Sequence, residues 1–589
     1  MQNKVIGESM ENKVISVPGL TPVYPATRHE NFRALIDFAE SNYGNRDAFI
    51  LKIRKAKGGK PAEYDHISYK KFKYHIDAFG TGLIKSGLVG KRFAIIGKNS
   101  YKWLVSYYAV LCGLGVCVPL DKGLPYEEVK NSLIKSKSDI LIFDEEHKEL
   151  AAEIKKSGIT DISTFICMED IKGYETFSWI LHKGEKALQS GDDSFSKLPI
   201  NPHAISILLF TSGTTSNAKA VMLSQFNILE NIYSLEQVED IRTGDVNMAF
   251  LPFHHTFGST GQTLMLARGV TTTFCDGLKY IQKNMVEYKV SIFICVPLLI
   301  EAMYKKLLTG IKKKNKEKSF ARGLKISKFF LKYNIDIKRR IFSKIIEEFG
   351  GALRFIISGA SPLDPKVIKG FEEIGINLVQ GYGMTEASPV LAAENPETRR
   401  AGSIGKAMPG VSLKIINSND YGTGELVAKG SNIMAGYYED PKATSEALIG
   451  GWLHTGDLAE IDSDGFIFLR GRAKNVIVLK NGKNIYPEEV ETLISCLPYV
   501  KESLVFGKPR HKDGDAKDLI LCAKIVYDKD YFKSDFGALD RDKIQHIIKN
   551  DIDKLSDSLP SYKRIHRISV TDEEMIKTTT GKVKRYVEQ

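Results

Sequence analysis

The sequence predicts an α/β protein with two domains. A large N-terminal domain, residues 1–473, should hold parallel-rich sheets with helices and a small β-rich subdomain. A small α+β domain, residues 474–589, should follow it. The chain of 589 residues exceeds the usual size of one domain. Strand and helix patterns alternate up to about residue 383, and short strands separated by turns replace them from about Gly402.

The alternating part follows an N-terminal arm of about 30 residues, which we expect to be mobile or loosely packed. Short apolar runs and helical patterns then succeed each other as in βαβ units, so the strands should form parallel sheets covered on both faces. The predicted strands are 93–96, 115–120, 139–143, 205–210, 246–253, 290–297, 353–359 and 377–383, and two of the predicted helices are 101–112 and 126–135.

The composition is that of a soluble globular protein, with 43% hydrophobic and 26% charged residues. Seven cysteines without a C-x-x-C pair indicate reduced thiols in a core. The first 20 residues lack the apolar region of a signal peptide. The uncharged stretch 103–120 is interrupted by Gly113 and Gly115, so a buried helix and strand explain it better than a membrane span. We expect a cytoplasmic protein, and the sequence leaves a homodimer open.

One polar stretch, from Thr211 to Val221, follows the strand predicted at 205–210. Its sequence, TSGTTSNAKAV, sets hydroxyl groups and glycine backbone directly after a strand and includes Lys219. Amide and hydroxyl donors can surround phosphate oxygens, and an ammonium adds a point charge, so the stretch suits a polyphosphate. It does not match the Walker pattern, and a polar surface loop is the alternative.

Three further polar stretches follow predicted strands. They are HHTFGS at 254–259, SGASP at 358–362 and GYGMTE at 381–386. Ligands of open α/β sheets bind beyond the carboxyl ends of the strands. We therefore expect the three loops to converge at one sheet edge and to form a site there.

The net charge of +12 is concentrated in residues 305–340. Fourteen Lys and Arg residues there are opposed only by Glu317 and Asp336, so this segment carries +12 and the rest of the chain is neutral. From Phe320 onward, basic and apolar residues form separate faces at helical spacing. This pattern favours peripheral contact with an anionic membrane, such as the inner membrane surface. A solvated helix or a nucleic-acid contact is the alternative, and we expect no nucleic-acid partner.

Five motifs occur in a fixed order along the chain: TSGTTSNAKAV, GYGMTE, then TGD at 455–457, GRAKN at 471–475 and TGK at 580–582. At these spacings they resemble the motifs of AMP-forming acyl-CoA synthetases and their adenylate-forming relatives, from about residue 30 to the C-terminus. The basic insertion and the stretch GKNIYPEEVE make the chain most similar to long-chain fatty acid–CoA ligases. The resemblance implies that a carboxylate attacks the α-phosphate of ATP, and that the thiol of coenzyme A then displaces AMP to form a thioester.

The resemblance also implies roles for single residues. Tyr382 is suited to stack on adenine, and Thr385 to donate a hydrogen bond to the α-phosphate. Glu386 is suited to bind Mg²⁺, and Asp457 to accept hydrogen bonds from the ribose hydroxyls. The residues implied in binding ATP or AMP are Thr211, Ser212, Gly213, Thr214, Thr215, Lys219, Gly359, Ala360, Ser361, Gln380, Gly381, Tyr382, Gly383, Thr385, Asp457 and Arg472.

The phosphate-loop motif departs from the family pattern at three positions. Ser216, Ala218 and Ala220 stand where the family has Gly, Pro and Gly. If residue 216 must adopt a left-handed conformation, a non-glycine residue costs about 1 kcal/mol. We expect this to weaken ATP binding without abolishing it.

The two steps are implied to use two faces of the small domain. Lys582 would stabilise the negative charge that develops during adenylation, and removing such a group typically costs several kcal/mol of barrier. Lys474 is implied as the hinge, and the loop with Lys480, Gly482 and Lys483 as the part that serves thioester formation. The implied catalytic residues are Lys582, Thr385, Glu386 and His255.

The implied acyl pocket is formed by His255, Thr256, Gly258 and Gly383. Short-chain relatives have a Trp at the position of Gly383, so a longer chain should fit here, and each buried methylene contributes about 0.8 kcal/mol. The stretch HHTFGSTGQ has no acid that would bind an amino acid's amine. A core histidine is the alternative for His255. Transfer to an acyl-carrier protein, and a non-catalytic lipid- or adenylate-binding protein, are the alternative functions.

Overall fold

The computed structural model describes residues 15–54, 62–158, 160–211, 218–480, 483–510, 518–537, 539–557, 559–577 and 583–588. The chain forms two compact units. We call them the large unit, Pro18–Ser412 with Ala428–Leu453, and the small unit, Met1–Val17 with Leu413–Val427 and His454–Gln589. The mixed α/β class is confirmed. The units do not coincide with 1–473 and 474–589, because 413–427 and 454–473 group with the C-terminal part, and the domain boundary at Lys474 stays a prediction.

Strands and helices alternate through most of the chain. The strands are β1 (Ile15–Ser16), β2 (Asp47–Arg54), β3 (Glu63–Ser68), β4 (Lys91–Ile96), β5 (Gly115–Leu120), β6 (Ile140–Phe143), β7 (Thr164–Cys167), β8 (Glu175–Thr176), β9 (Ile205–Phe210), β10 (Ala220–Ser224), β11 (Val246–Ala249), β12 (Thr271–Phe274), β13 (Ile292–Cys295), β14 (Phe355–Ser358), β15 (Asn377–Gly383), β16 (Val390–Ala393), β17 (Lys406–Ala407), β18 (Val411–Ile416), β19 (Gly424–Gly430), β20 (Gly436–Tyr437), β21 (Leu448–Ile449), β22 (Trp452–Ile461), β23 (Ile467–Arg472), β24 (Ile477–Val478), β25 (Asn484–Ile485), β26 (Val500–Pro509), β27 (Leu519–Tyr527) and β28 (Ile565–Thr571). The helices are α1 (Phe32–Tyr43), α2 (Tyr69–Lys85), α3 (Tyr101–Ala109), α4 (Tyr126–Ser136), α5 (Lys148–Ser157), α6 (Phe177–Gln189), α7 (Gln225–Val238), α8 (Thr256–Ala267), α9 (Ile281–Tyr288), α10 (Pro297–Lys313), α11 (Glu317–Leu331), α12 (Lys338–Ile341), α13 (Ser343–Glu347), α14 (Pro365–Glu373), α15 (Pro441–Ala447), α16 (Pro487–Ser495), α17 (Lys529–Phe536), α18 (Arg541–Asp557) and α19 (Arg585–Glu588).

Two sheets organise the large unit. One has the order β20-β10-β9-β5-β4-β6-β7-β8, and the other β17-β16-β15-β14-β13-β11-β12-β2-β3. In the second sheet β11, β13, β14 and β15 run parallel to one another. Their residues are largely apolar and buried, as parallel strands covered on both faces require. The carboxyl ends of these four strands therefore lie along one edge.

Most of the predicted elements are confirmed, and their ends differ where backbone geometry intervenes. The helix predicted at 101–112 is regular as α3 up to Ala109 and continues into a π-helical turn at Val110–Leu114, within which Cys112 is non-helical and Gly113 has φ +115°. The strand predicted at 290–297 ends at Cys295, since Pro297 begins α10. Trp103 is 1% exposed, so the uncharged stretch is buried as predicted. Of the helices that the structure describes, none is both long and apolar enough to cross a membrane.

The structure ties the expected loose N-terminal arm to the rest of the chain at several points, although most of residues 15–30 are exposed or half-buried. In the small unit, Ile15 and Ser16 pair with β18 in an antiparallel ladder. In the large unit, the Leu20 side chain is 5% exposed. Backbone pairing and apolar burial hold this part of the chain, and residues 1–14 lie outside the described residues. All seven cysteines are free thiols, and five of them are buried, but Cys275 is half-buried and Cys496 is exposed, so the expected core position is wrong for these two.

Within the residues that the structure describes, the small unit contains two sheets of three or more strands. One has the order β1-β18-β19-β22, with β23 paired to β22. The other is β26-β27-β28, and α16 and α18 cover it through a core that includes Val490, Ile494, Ile548 and Ile552. A two-stranded ladder of β24 and β25 lies between these sheets in the chain.

Candidate active site

The phosphate-loop candidate connects two antiparallel strands. β9 and β10 pair with each other, and at the mouth of the loop the Thr211 N–H donates to the Lys219 carbonyl at 3.0 Å. Lys135 Nζ donates to the Ala218 carbonyl at 2.8 Å. β9 and β10 are therefore paired directly before and after this stretch. Ser212, Gly213, Thr214, Thr215 and Ser216 lie outside the described residues.

The three polar loops predicted to converge do so at the carboxyl edge of the second sheet. A Cβ built on Gly359 would lie 2.9 Å from Phe257 Cζ and 3.5 Å from the Gly381 carbonyl oxygen. Gly359 follows β14, Phe257 lies in the first turn of α8, which follows the loop after β11, and Gly381 lies near the end of β15. Gly359 is buried, whereas Ala360 and Ser361 are exposed. The absence of a side chain at Gly359 permits this close approach.

The GYGMTE stretch begins inside β15 and ends in a short 3₁₀ turn. Gly381 and Tyr382 pair with β16, and the turn starts at Thr385. Tyr382 is 9% exposed, Thr385 is half-buried, and Glu386 is 9% exposed. The carboxylate of Glu386 is thus held within the unit at the sheet edge.

Tyr437 joins the predicted phosphate lysine to the predicted metal ligand. Its hydroxyl donates to Glu386 Oε1 at 2.8 Å, and Lys219 Nζ lies 4.7 Å from the centroid of its ring. Burial and the neighbouring Glu386 carboxylate raise the pKa of Tyr437, so the phenol keeps its proton. Sequence reasoning missed this residue. It follows Glu386 by 51 positions, and no polar pattern marks it.

Gln380, another predicted nucleotide residue, braces the loop after β14. Its Oε1 accepts from the Leu363 N–H at 3.1 Å, and its Nε2 donates to the Ser403 carbonyl at 3.3 Å. Gln380 is thus held by backbone contacts at both polar ends of its side chain. Its own N–H donates to Glu394 Oε2 at 3.3 Å.

The histidine-bearing loop leads directly into α8. His255 is the residue before the helix, and its carbonyl accepts from the Ser259 N–H at 2.9 Å. The neighbouring His254 lies 3.5 Å from Asp121 through Nε2 and Oδ2. Thr256 and Gly258 are buried. A Cβ on Gly258 would lie 2.1 Å from the Pro252 carbonyl oxygen, so this glycine is required by helix packing.

Gly383 has a comparable backbone reason to be glycine. A Cβ there would lie 1.9 Å from the Pro389 carbonyl oxygen. The close approach of these two chain segments accounts for the missing side chain by itself. The assignment of His255, Thr256, Gly258 and Gly383 to an acyl pocket stays a prediction.

Within the small unit, the predicted ribose ligand pairs with the predicted arginine. Asp457 and Arg472 are cross-strand partners in β22 and β23, and Arg472 Nε lies 2.8 Å from Asp457 Oδ1. Arg472 also donates from Nη1 to the Thr455 carbonyl at 3.1 Å, and the Thr455 hydroxyl accepts from the Asp457 N–H at 3.1 Å. The carboxylate is therefore oriented on a rigid ladder.

The predicted hinge and coenzyme A loop also lie in the small unit. Lys474 is exposed in a short 3₁₀ turn that follows β23. Lys480 and Lys483 flank the tip of the β24–β25 ladder, and Lys483 Nζ lies 4.4 Å from the centroid of the Tyr562 ring. Gly482 and Lys582 lie outside the described residues.

The comparisons with known proteins agree with the predicted family. A family model described as AMP-binding enzyme matches residues 37–438, and one described as AMP-binding enzyme C-terminal domain matches residues 474–587. Long chain acyl-CoA synthetase 7 (peroxisomal) of Arabidopsis thaliana is 28% identical over 566 residues, covering 88% of this chain and 76% of the relative. Long-chain-fatty-acid–CoA ligase 5 of Rattus norvegicus is 29% identical over 481 residues, covering 76% of this chain and 69% of the relative.

The fold is also that of a solved structure. The crystal structure of an anthranilate CoA ligase in complex with anthranoyl-AMP aligns with a TM-score of 0.73 at 19% identity, over 96% of this chain and 97% of the other. At this identity the likeness concerns the fold. Because the first family model spans more than half of the sequence, the resemblance predicted from the motifs is confirmed, and the chain belongs to the AMP-binding enzyme family.

Proposed function

We propose that the protein is a long-chain fatty acid–CoA ligase. It would form an acyl-adenylate from ATP and a fatty acid, and then a thioester with coenzyme A. Both curated relatives named above are long-chain acyl-CoA synthetases or ligases. The observation that carries the proposal is the contact of Lys219 and Glu386 with the same tyrosine, because adenylation needs a cation and a carboxylate beside one polyphosphate.

In the adenylation step, a fatty acid oxygen bonds to the α-phosphorus while the bond to the bridging oxygen of pyrophosphate breaks. The Lys219 ammonium would bind the phosphates that leave, and Thr385 would hydrogen-bond the α-phosphate. Lys582 would stabilise the charge that develops on the reacting oxygens. Asp457 would hold the ribose by accepting from its hydroxyls.

Glu386 fits a Mg²⁺ ion that accompanies ATP. Its carboxylate supplies hard oxygen ligands, and Tyr437 occupies only Oε1. Within the described residues, no cluster of three or more His, Cys, Asp or Glu side chains could hold a metal. This agrees with Mg²⁺, which usually binds one or two carboxylates and the substrate phosphates. The ion would neutralise part of the phosphate charge.

Pyrophosphate release tests the proposed reaction. The assay combines ATP, Mg²⁺ and fatty acids of increasing length, with and without coenzyme A. The proposal expects turnover that is highest with long chains and yields an acyl-CoA thioester. Pyrophosphate and acyl-adenylate without thioester would indicate an acyl-carrier protein as acceptor. No release with any carboxylate would contradict the proposal and favour a non-catalytic binding protein.

We further propose that residues 305–340 contact an anionic membrane. The inner face of α11 packs on the core of the large unit, to which α11 belongs: Gly323 and Ser327 are buried, and Phe320 and Leu324 are partly buried against that core. The opposite face and the turn that follows it are exposed. Phe329 is 56% exposed and Tyr333 65%, and their rings lie 5.4 Å apart. Exposed aromatic rings between lysines match the composition of helices that lie in a lipid headgroup layer.

Vesicle sedimentation tests this contact. The wild type should bind vesicles of phosphatidylcholine with about 30% phosphatidylglycerol much better than vesicles of phosphatidylcholine alone. High salt should weaken its binding to the anionic vesicles. A double variant with Phe329→Ser and Tyr333→Ser should lose most of the binding. Tyr421→Ser is the control, because Tyr421 is 88% exposed but lies outside residues 305–340, and it should leave vesicle binding unchanged. Equal retention on both vesicles would contradict the proposal, and binding only to duplex DNA would favour a nucleic-acid contact.

A further inference from the structure

Two adjacent tyrosines at 437 and 438 have different surroundings. The Tyr437 side chain is 7% exposed and contacts Glu386 and Lys219. The Tyr438 hydroxyl accepts instead from Arg92 Nη1 at 2.8 Å, and the Arg92 guanidinium lies 4.9 Å from the centroid of that ring. Because successive residues of extended chain point to opposite sides, only one of the two side chains reaches the candidate site.

The backbone fixes the position of Tyr437 independently of its side chain. Tyr437 lies in β20 and pairs with Val221 of β10. The Tyr437 N–H donates to Thr444 Oγ1 at 2.9 Å. Since β10 begins directly after Lys219, the same strand pair sets the distance between the lysine and the tyrosine ring. The 3₁₀ turn that contains Glu386 is also hydrogen-bonded to the segment before β20, because the Glu386 carbonyl accepts from the Met434 N–H at 2.9 Å.

The two contacts of Tyr437 act on different groups. The hydroxyl donates to Oε1 of Glu386, which orients the carboxylate and directs its second oxygen elsewhere. The ring face attracts the Lys219 ammonium by a cation–π interaction and so restricts the directions in which that charge can point. One side chain therefore sets the relative position of a carboxylate and an ammonium.

We propose that Tyr437 is a positioning residue that couples metal binding to phosphate binding in the adenylation site. This inference rests on the proposed roles of Glu386 and Lys219. The phenol hydroxyl holds Glu386 in the orientation that binds Mg²⁺, and the ring holds Lys219 toward the polyphosphate. The site thereby favours the Mg²⁺ complex of ATP over ATP alone.

Calorimetric titration of ATP, with Mg²⁺ and separately with EDTA, tests the inference without turnover. In Tyr437→Phe the ring remains, so ATP affinity in EDTA should stay within twofold of the wild type. The gain in affinity that Mg²⁺ confers should fall about three- to tenfold. Tyr437→Leu removes the ring too, and should also weaken ATP binding in EDTA by about two- to tenfold. Tyr438→Phe is the matched control and should leave both values within twofold.

A kinetic readout accompanies the titration. In pyrophosphate release, Tyr437→Phe should raise the Mg²⁺ concentration that gives half the maximal rate by a similar factor, whereas Tyr438→Phe should not. Tyr437→His keeps a ring and a hydrogen-bond donor, so it should recover part of the Mg²⁺-dependent gain. Thermal unfolding monitored by circular dichroism verifies that each variant is folded. If Tyr437→Phe does not fold, the Mg²⁺-dependent gain in ATP affinity of Tyr437→His decides whether Tyr437 has the proposed role.

Two results would overturn the inference: a Mg²⁺-dependent gain in Tyr437→Phe equal to that of the wild type, or an equal loss in Tyr438→Phe. Failure of the proposed function is a separate result. A wild type that releases no pyrophosphate with any fatty acid would contradict the ligase proposal. The titrations would still decide the role of Tyr437, since they require only ATP and Mg²⁺.

Discussion

At the scale of single residues, Glu239 is buried without a complete set of hydrogen bonds. It is 3% exposed, and its Oε2 has no hydrogen-bond partner within the described part of the chain. Burial, and then the charge of Glu394, raise its pKa from 4.5 to about 8. Between these two pH values the folded protein holds a proton that the unfolded chain has lost. The free energy of unfolding therefore falls as the pH rises through this window, by about 1.4 kcal/mol per pH unit.

Glu239→Gln should remove this pH dependence, because glutamine imitates the protonated acid. We expect the variant to exceed the wild type in free energy of unfolding by on the order of 4 kcal/mol at pH 8, and by less than about 1 kcal/mol at pH 5. Thermal unfolding at both pH values measures this. Glu230→Gln is the control, since Glu230 pairs with Arg28 at the surface of the same unit. A variant no more stable than the wild type at pH 8 would contradict the raised pKa.

The charge of Asp457 should matter for nucleotide affinity. A carboxylate accepts hydrogen bonds more strongly than an amide oxygen, so Asp457→Asn should raise the KM for ATP by about tenfold. Steady-state pyrophosphate release measures it. Asp464→Asn changes an exposed acid in the turn between the same two strands and serves as the control. An unchanged KM in Asp457→Asn would argue that the pair with Arg472 is only structural.

At the scale of elements, α2 and α6 pack through glycines. A Cβ on Gly184 would lie 1.7 Å from the Ala78 carbonyl oxygen, and one on Gly82 would lie 2.1 Å from the Ile180 carbonyl oxygen. The backbones of the two helices are in direct contact at these points. Any larger residue must push the helices apart.

Gly184→Ala should therefore lower the free energy of unfolding by about 1–3 kcal/mol or more. Gly310 of α10 is the matched control, since a Cβ there meets no atom within 4 Å. Gly310→Ala should be neutral or stabilise by about 0.4–1 kcal/mol, because alanine restricts the unfolded chain. Thermal unfolding midpoints of both variants test this. Equal unfolding midpoints of Gly184→Ala and Gly310→Ala would contradict this prediction, because they would show that α2 and α6 can move apart without loss of stability.

At the scale of the whole molecule, the two steps are proposed to use different faces of the C-terminal domain. Lys582→Ala should reduce pyrophosphate formation from ATP at least a hundredfold, since the loss of a positioned charge raises the barrier by several kcal/mol. The same variant should convert supplied acyl-adenylate and coenzyme A to thioester at nearly the wild-type rate. Product chromatography separates the two steps.

Lys584→Ala provides the control for this prediction, because it removes a neighbouring charge near the same terminus. It should leave both steps close to the wild type. Equal losses of both steps in Lys582→Ala would contradict the division of labour about Lys474. A loss in Lys584→Ala as large as in Lys582→Ala would indicate a general effect of basic charge.

The sequence by itself determined the parts of the fold that depend on local pattern. The strands predicted at 115–120, 205–210 and 377–383 have those bounds in the structure. The first two are largely apolar runs that end before Asp121 and Thr211, so their burial follows from the local sequence pattern. The order of the motifs likewise predicted the family, and the positions of the polar loops predicted the sheet edge where they meet.

The tertiary structure alone decided what depends on partners far apart in the chain. The sequence did not indicate that β9 and β10 pair antiparallel, that β1 pairs with β18, or which apolar residues of α11 face the core. Tyr437 is the clearest case, since neither its residue type nor its neighbours mark it. Its hydrogen bond to Glu386 and its contact with Lys219 exist only because strand pairing brings three distant segments together.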